Sequence, residues 1–198
     1  MISDLGNGIR FIQVGANDGI AHDPLHEHIL AKGWRGILIE PLPEVFPKLV
    51  ANYAGHPGLA FEQVAIHPTK TELKLMVPEG DTILASATDR HFDYWPGVDR
   101  SKLQEVRVPA CRLDTIIVKH AFHPFDLLQI DAEGLDWQVM TSIDLGRFGP
   151  EYINFESWYI KEQGFFPMCL AHLRHFGYEP LPEENKMDTM VRRLTKSR

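Results

Sequence analysis

The sequence predicts an α/β protein built on a doubly wound, mostly parallel sheet. Two apolar runs, at residues 11–14 and 37–39, lead into small or acidic residues, as buried parallel strands do where they open onto a ligand. Strand-like and helix-like segments alternate through most of the chain, and the last two strand-like segments suit an antiparallel hairpin. We therefore expect a Rossmann-like, seven-stranded sheet with an antiparallel closing hairpin and a lid-like insertion at residues 78–104.

The first strand runs into a turn of small residues at 15–19, Gly-Ala-Asn-Asp-Gly. Only small residues let backbone N–H groups come close to a bound molecule, so this turn predicts a binding site. Asp23 has the side chain of a helix N-cap, and Pro24 suits the first helical position. The first helix should therefore span about residues 24–32 and stop at Gly33.

The second strand ends in Glu40, which Pro41 follows. In nucleotide-binding sheets an acidic side chain at this position accepts both hydrogen bonds of a ribose diol. The interval between Gly15 and Glu40 is long enough for one crossover helix, so the two strands should be parallel. Beyond Pro43 the apolar spacing predicts another helix, which ends near Gly55.

The middle of the chain should contribute strands at residues 61–66 and 72–77, the second with the alternation of an exposed edge strand. Residues 78–104 are irregular and carry glycines, prolines and aromatic side chains. A loop of this length within a compact domain is either a lid or binding loop, or a surface insertion without function. We interpret it as a lid that determines specificity.

The second half of the chain should complete the sheet and cover it. The predicted elements, in chain order, are a strand at residues 105–110, a helix from 112, the fourth main strand at 125–131, a helix from 135, the fifth strand at 152–156, a helix within 164–177 and hairpin strands at 178–181 and 188–193. The fourth and fifth main strands each end in an acid, Asp131 and Glu156. Open α/β sheets carry their chemistry at this end of the strands.

Composition limits the partners and the compartment. The 198 residues have the size of one domain, so we expect residues 1–198 to fold as a single unit. A net charge of −7 argues against nucleic acid and anionic membranes, which both select clustered Lys and Arg. Cys111 and Cys169 form no CxxC motif, and no apolar run reaches membrane-spanning length. These features predict a soluble cytoplasmic protein and leave its oligomeric state open.

Several motifs, in this order, resemble those of FkbM-type methyltransferases, a branch of the class I S-adenosylmethionine-dependent enzymes. The resemblance covers residues 10–156 and rests on Val14-Gly15-Ala16-Asn17-Asp18-Gly19, Ile39-Glu40-Pro41, Arg112-Leu113-Asp114 and Gln129-Ile130-Asp131-Ala132-Glu133-Gly134, together with Phe46, Leu49, Asn52 and Ala65. It implies that the chain binds S-adenosylmethionine and transfers its methyl group.

The resemblance also implies which residues bind the cofactor. The turn at 15–19 would hold the methionine portion, Glu40 the ribose hydroxyls, and the stretch around Ala65 the adenine. A carboxylate beside two vicinal hydroxyls makes charge-assisted hydrogen bonds, which supports the role of Glu40. The complete set expected to bind cofactor is Val14, Gly15, Ala16, Asn17, Asp18, Gly19, Glu40, Pro41, Ala65 and Asp131.

The chemistry that we expect is O-methylation, and the resemblance suggests a hydroxyl of a sugar, glycan or polyketide-like molecule as the acceptor. An aliphatic hydroxyl must lose its proton, and Asp131 or Glu156 is the nearest candidate base, with His22 or His91 as alternatives from the loops. Asp131, Glu133 and Glu156 could instead hold Mg²⁺, although Glu133 could equally complement a helix dipole.

Two other classes of function are alternatives to a methyltransferase. An NAD-dependent oxidoreductase of Rossmann type needs a Gly-x-Gly-x-x-Gly turn, which residues 15–19 lack, and Asp18 would repel a pyrophosphate. A non-catalytic module would keep the cofactor pocket without catalysing a reaction. The presence of Asp131 and Glu156 argues against this class only weakly. The spacing of His26 and His28 favours surface histidines over a metal site.

Overall fold

The computed structural model of the chain describes residues 2–182 and 186–194. Its strands, in chain order, are β1 (Arg10–Val14), β2 (Arg35–Ile39), β3 (Leu59–Glu62), β4 (Ala65–Ile66), β5 (Glu72–Val77), β6 (Gln104–Cys111), β7 (Leu127–Ile130), β8 (Tyr152–Glu156), β9 (Tyr178–Pro180) and β10 (Asp188–Arg193). Within the described residues, seven strands form the main sheet in the order β3-β2-β1-β7-β8-β10-β9. The other three form a small sheet in the order β4-β6-β5.

The main sheet is parallel from β3 to β8, and β10 and β9 complete it as antiparallel strands. The strand order reverses around β1, which lies between β2 and β7. Ligands of doubly wound sheets bind at such a reversal, beyond the carboxyl ends of the strands. The arrangement confirms the predicted Rossmann-like fold class and its closing antiparallel strands.

Helices cover both faces of the main sheet. In chain order they are α1 (His26–Lys32), α2 (Phe46–Asn52), α3 (Leu113–Lys119), α4 (Asp136–Thr141), α5 (Leu145–Phe148), α6 (Trp158–Glu162) and α7 (Phe166–His175). Ile29 of α1 and Leu49 of α2 pack with Phe11 and Leu38 on one face. Side chains of α3, α4 and α7 form a second apolar cluster on the other face. Burial on both sides explains the continuous apolar runs of the central strands.

The predicted third strand, residues 61–66, is two strands in the structure. β3 pairs with β2 in the main sheet, whereas β4 pairs in parallel with β6 in the small sheet. The chain leaves the main sheet because Ala65 and Ile66 have their backbone partners in Ala110 and Cys111 and bury their own side chains there. The prediction of one strand was therefore wrong, and the break brings Ala65 to the ligand crevice.

The first helix begins later than predicted. α1 starts at His26, and its N-cap residue is Leu25, which makes no side-chain cap. Asp23 instead closes the turn before the helix, where its Oδ1 accepts a hydrogen bond from the N–H of Leu25 at 2.7 Å. The helix ends at Gly33 as predicted, with a left-handed φ of 63° that favours glycine.

Residues 78–104 contain little regular structure, as their composition indicates. Two short 3₁₀ turns lie at Asp89–Tyr94 and Arg100–Lys102. The preceding strand, β5, lies at the edge of the small sheet and alternates buried with exposed residues, which confirms its predicted character. Across the described part of the chain, no helix has the length and apolarity needed to cross a bilayer.

Candidate functional site

The turn after β1 joins the three central strands at the crevice. Gly15 has a φ of 82°, and its N–H donates to the carbonyl of Ile39 at the end of β2. A Cβ at Gly15 would overlap the backbone oxygen of Asp131, which follows β7. Glycine is therefore required here, because it alone adopts this backbone angle readily and lets β1 and β7 end side by side.

Glu40 lies at the opposite wall of the crevice with its carboxylate held by the backbone. Its Oε2 accepts a hydrogen bond from the N–H of Asn17 at 2.9 Å, and its Oε1 accepts one from the N–H of Leu42 at 2.8 Å. Burial raises the pKa of Glu40 to about 7, against the lowering effect of these two donors. Each carboxylate oxygen can accept a second hydrogen bond, so the side chain is oriented to receive a pair of ligand hydroxyls.

A cavity that is partly open to solvent lies between these walls. Eight of the ten residues expected to bind cofactor line it, namely Val14, Gly15, Ala16, Asn17, Glu40, Pro41, Ala65 and Asp131. Asp18 and Gly19 are not among the described lining residues. Asp18 closes the turn by accepting hydrogen bonds from the N–H groups of Ile20 and Ala21, and the carbonyl of Gly19 accepts one from the hydroxyl of Tyr53.

The far side of the cavity is apolar and comes largely from the small sheet. Leu73 and Leu75 of β5 line it beside Val64, Ala65 and Ile66. The split of the predicted third strand creates this wall, because β4 turns away from the main sheet to pair with β6. An apolar surface in the same cavity as the carboxylate of Glu40 suits the adenine of a nucleoside.

Gln13 and Asp23 line the cavity and were not identified as site residues from the sequence. Gln13 is buried in β1 with an exposure of 2%, and its Nε2 donates to Oδ1 of Asp23 at 3.1 Å. Both side chains face the cavity. The signal for Gln13 is a polar residue within an otherwise apolar strand, immediately before the glycine turn. Asp23 had no such signal, because an aspartate before a proline is as typical of a helix N-cap as of a ligand site.

Four acidic side chains meet beyond the ends of β7 and β8, and we call them the acid cluster. They are Asp131, Glu133, Asp136 and Glu156. Asp136, which the sequence analysis did not single out, is buried in the first turn of α4, and its Oδ1 accepts a hydrogen bond from the N–H of Glu156 at 3.2 Å. The predicted carboxylates therefore do converge, with Asp136 as an additional member.

Burial and mutual repulsion raise the pKa values of the acid cluster. Burial raises the pKa of Asp131 to about 6 and that of Asp136 to about 8, and neighbouring carboxylates add to both increases. The same causes raise the pKa of Glu156 to about 9 and that of Glu133 to about 10. At pH 7 the cluster is therefore largely neutral apart from Asp131, which is mostly ionised.

The segment at 78–104 lies directly over the acid cluster. The hydroxyl of Ser86 donates to the carbonyl of Glu133 at 2.7 Å, and Glu133 has a left-handed φ of 46°. His91 is buried, with its Nε2 at 3.5 Å from Oε2 of Glu133, and burial lowers its pKa to about 4. Trp95 donates from Nε1 to the hydroxyl of Tyr159 at 2.8 Å. The segment thus contributes an imidazole and several aromatic rings to this part of the site.

The remaining histidines do not converge on a site. His22 lies at the rim of the cavity with a φ of 57°. Nδ1 of His26 lies 3.1 Å from the hydroxyl of Tyr53, and His28 stacks on Trp34. Over the described ranges, no group of three or more His, Cys, Asp or Glu side chains is arranged to hold a metal ion. The Mg²⁺ alternative, with Asp131, Glu133 and Glu156 as ligands, therefore gains no support.

The doubly wound sheet, with a cavity and a buried carboxylate at its strand reversal, defines a Rossmann-like α/β protein. Comparison with protein families identifies the branch. Residues 13–180 match the model of the methyltransferase FkbM domain, so the chain belongs to the FkbM methyltransferase family. A search of curated proteins found no match.

Solved structures support the fold. An FkbM methyltransferase from Methylobacillus flagellatus superposes with a TM-score of 0.56 and 12% identity over 94% of this chain and 44% of that one. The methyltransferase domain of METTL16 gives a TM-score of 0.51 and 9% identity over 96% of this chain and 61% of that one. This chain therefore spans less than half the length of the FkbM structure.

Proposed function

We propose that the protein is an S-adenosylmethionine-dependent methyltransferase that acts on a hydroxyl of a sugar, glycan or polyketide-like small molecule. The observation that carries the proposal is the carboxylate of Glu40, fixed by two backbone N–H groups at the cavity wall. Membership of the FkbM family supports the same cofactor. Glu40 would bind the ribose diol, and the surface around Ala65 would contact the adenine.

The donor set and charge of the cavity fit this cofactor. A sulfonium is positively charged, and the cavity presents the carboxyl groups of Glu40 and Asp131 among its lining residues. A dinucleotide would place its pyrophosphate anion at the turn after β1, beside Asp18. The electrostatics therefore favour S-adenosylmethionine over NAD.

The bound cofactor would supply the methyl group, and the protein would align the acceptor and move its proton. Asp131 faces the cavity and is largely ionised at pH 7, so it is the candidate base for the acceptor hydroxyl. Glu156 has a pKa raised to about 9, so at pH 7 it would donate a hydrogen bond to the acceptor. Its Oε2 is buried and has no hydrogen-bond partner among the described residues.

Aromatic side chains near the acid cluster support a carbohydrate-like or other ring-shaped acceptor. Tyr94 and Trp158 contact each other with ring centroids 4.8 Å apart, and Trp95 is 39% exposed. Aromatic faces with a few polar groups beside them are common in small-molecule sites. We propose that residues 78–104 close over such an acceptor and exclude water from the acid cluster.

The proposal is tested by incubating the protein with methyl-labelled S-adenosylmethionine and a panel of sugars and small alcohols, followed by mass spectrometry. We expect a mass increase of one methyl group on an acceptor oxygen. Parallel calorimetry with S-adenosylhomocysteine and NAD should show binding of the first alone. NAD binding without a response to S-adenosylhomocysteine would contradict the proposal, and cofactor binding without any transfer would indicate a non-catalytic module.

A further inference from the structure

The segment at 78–104 contacts both the backbone and the side chain of Glu133. The hydroxyl of Ser86 donates to the carbonyl of Glu133 at 2.7 Å, and Nε2 of His91 lies 3.5 Å from Oε2 of the same residue. Ser86 is itself held by two backbone hydrogen bonds with Met76 of β5. The segment therefore fixes one residue that lines the cavity.

Both contacts are unfavourable for folding. Glu133 has a left-handed φ of 46°, which a residue with a side chain rarely adopts. The imidazole of His91 is buried against the rings of Phe92 and Tyr159, and neither ring nitrogen has a hydrogen-bond partner within the described residues. Its distance of 3.5 Å from Glu133 is too long for a good hydrogen bond, so an apolar residue at position 91 would stabilise the fold. Strain and an unsatisfied imidazole at one place indicate a role in function.

The two side chains differ in their access to the cavity. The side chain of His91 has an exposure of 0%, whereas that of Glu133 is 19% exposed and lines the cavity. In this arrangement a ligand can contact Glu133 but not His91, so the imidazole can affect a ligand only through the carboxyl group. The charge of Asp131, the candidate base, acts on Glu133, so the two carboxyl groups are neighbours.

Ionisation of Glu133 would turn its contact with His91 into a strong hydrogen bond. In the ligand-free protein, burial and neighbouring carboxyl groups raise the pKa of Glu133 to about 10, and burial lowers the pKa of His91 to about 4. The carboxylate form of Glu133 is favoured beside a positive charge, such as the sulfonium of the proposed cofactor. An N–H at Nε2 of the neutral imidazole can then donate a charge-assisted hydrogen bond to this carboxylate.

We propose that His91 is a positioning residue for methyl transfer, which acts by holding the carboxylate of Glu133 toward the acceptor. The N–H at Nε2 of His91 donates to Oε2 of Glu133, and Glu133 accepts a hydrogen bond from a hydroxyl of the acceptor beside Asp131. The inference rests on the proposed function and makes the segment at 78–104 a part of the reaction site.

The test begins with a substitution that has opposite effects on stability and on catalysis. His91→Phe keeps a ring in the aromatic surroundings and removes the unsatisfied nitrogens, so it should melt at or above the temperature of the parent. It also removes the donor to Glu133, so kcat for an acceptor identified in the methyl-transfer panel should fall about tenfold or more. The affinity for S-adenosylhomocysteine, which has no sulfonium, should stay the same by calorimetry.

Two amide variants identify the donor. His91→Gln places an N–H close to the position of Nε2, so it should keep most of the parent's kcat even though a buried amide lowers the melting temperature. His91→Asn has an amide too short to reach Glu133 and should lose kcat as the Phe variant does. A purely structural role predicts instead that kcat follows the melting temperature, with the Phe variant more active than the Gln variant.

His172→Phe is the matched control. His172 also packs against aromatic rings, those of Trp137 and Phe176, and its Nε2 has no hydrogen-bond partner in the described part of the chain. It is not among the described residues that line the cavity. The substitution should therefore leave kcat unchanged.

A double-mutant cycle tests whether His91 acts through Glu133. Glu133→Gln should lower kcat by itself, and His91→Phe should have little further effect in that variant, because the contact is already lost. Losses that add in the double variant, or a Phe variant with the kcat of the parent, would overturn the inference. A parent that binds S-adenosylhomocysteine but methylates no acceptor would instead overturn the proposed function on which the inference rests.

Discussion

Glu40 and Glu133 are both glutamates at the carboxyl edge of the main sheet, yet their environments differ. Glu40 is the more buried of the two, but its pKa is raised only to about 7, because two backbone N–H groups donate to its carboxylate. Burial and three neighbouring carboxyl groups of the acid cluster raise the pKa of Glu133 to about 10. Hydrogen-bond donors to the carboxylate, more than the extent of its burial, therefore decide which of these acids can be an anion at pH 7.

Under the proposed function, the two regions have different tasks. The carboxylate of Glu40 is already oriented to accept hydroxyl groups, as binding of a ribose requires. The acid cluster is mainly neutral in the ligand-free protein. A bound sulfonium is a cation, and methyl transfer from it would take place beside this cluster. Asp131 lies between these regions, because it lines the cavity and also belongs to the cluster.

The largest expected effect comes from Asp131→Asn, which removes the one largely ionised member of the acid cluster. We expect methyl transfer to fall by a factor of roughly 10²–10⁴, the usual loss for a general base. The side chain keeps its size, so the melting temperature should change little. Turnover equal to that of the parent in a single-turnover assay would remove Asp131 as the base and leave Glu156 and His91 as candidates.

A smaller effect is expected from Glu40→Ala in the other region. The substitution removes a charged hydrogen-bond acceptor at a strand end, and such bonds contribute roughly 1.5–3 kcal/mol. The affinity for S-adenosylhomocysteine, measured by calorimetry, should therefore fall about tenfold or more. Glu44→Ala, at an exposed position four residues along the chain, is the matched control and should bind like the parent. Unchanged binding in Glu40→Ala would mean that Glu40 does not contact the cofactor.

The stability of the ligand-free protein should fall as the pH rises from 7 to 9. The folded-state pKa values of Asp136, Glu156 and Glu133 are raised to about 8, 9 and 10, so the folded protein retains protons that the unfolded chain has lost. This contribution to stability is complete below the unfolded pKa values near 4 and is lost as the pH passes the folded values. Each retained proton changes the free energy of unfolding by about 1.4 kcal/mol per pH unit.

Thermal melting across this pH range measures the effect. His91 has a lowered pKa and would act in the opposite direction, but in this range it is neutral in both the folded and the unfolded state. A melting temperature that is constant or increases toward pH 9 would show that the acid cluster ionises freely. Glu133→Gln should reduce the pH dependence, because it removes the member with the highest pKa.

The smallest effect concerns residues 78–104, which we expect to move more than the rest of the fold. They contain little regular structure, and hydrogen bonds such as those from Ser86 to Glu133 and from Trp95 to Tyr159 hold them to the rest of the site. Hydrogen exchange should be fast in the free protein and slower when S-adenosylhomocysteine and an acceptor are both bound. Equal protection with and without ligands would make the segment a fixed wall of the site.

Local sequence patterns were enough to predict the central strands, the glycine turn and the position of Glu40 at the end of β2. These features depend on neighbouring residues, since an apolar run and a small-residue turn determine how β1 ends. The break between β3 and β4 could not be predicted, because it depends on pairing with β6 more than 40 residues later. Asp136 was missed for a related reason, since its partner Glu156 is 20 residues away and only the fold brings them together.

For directed evolution, the positions around the site are of two kinds: those that can accept a new side chain and those that cannot. Gly15 is of the second kind, because it lies close to the carbonyl of Asp131. Any side chain at residue 15 would overlap that carbonyl, so a library that varies this position would consist mainly of misfolded members. A Cβ at Gly97, in the segment over the acid cluster, would meet no described atom within 4 Å. Selection for new acceptors can therefore begin with variation around residue 97, while the glycine turn is kept constant.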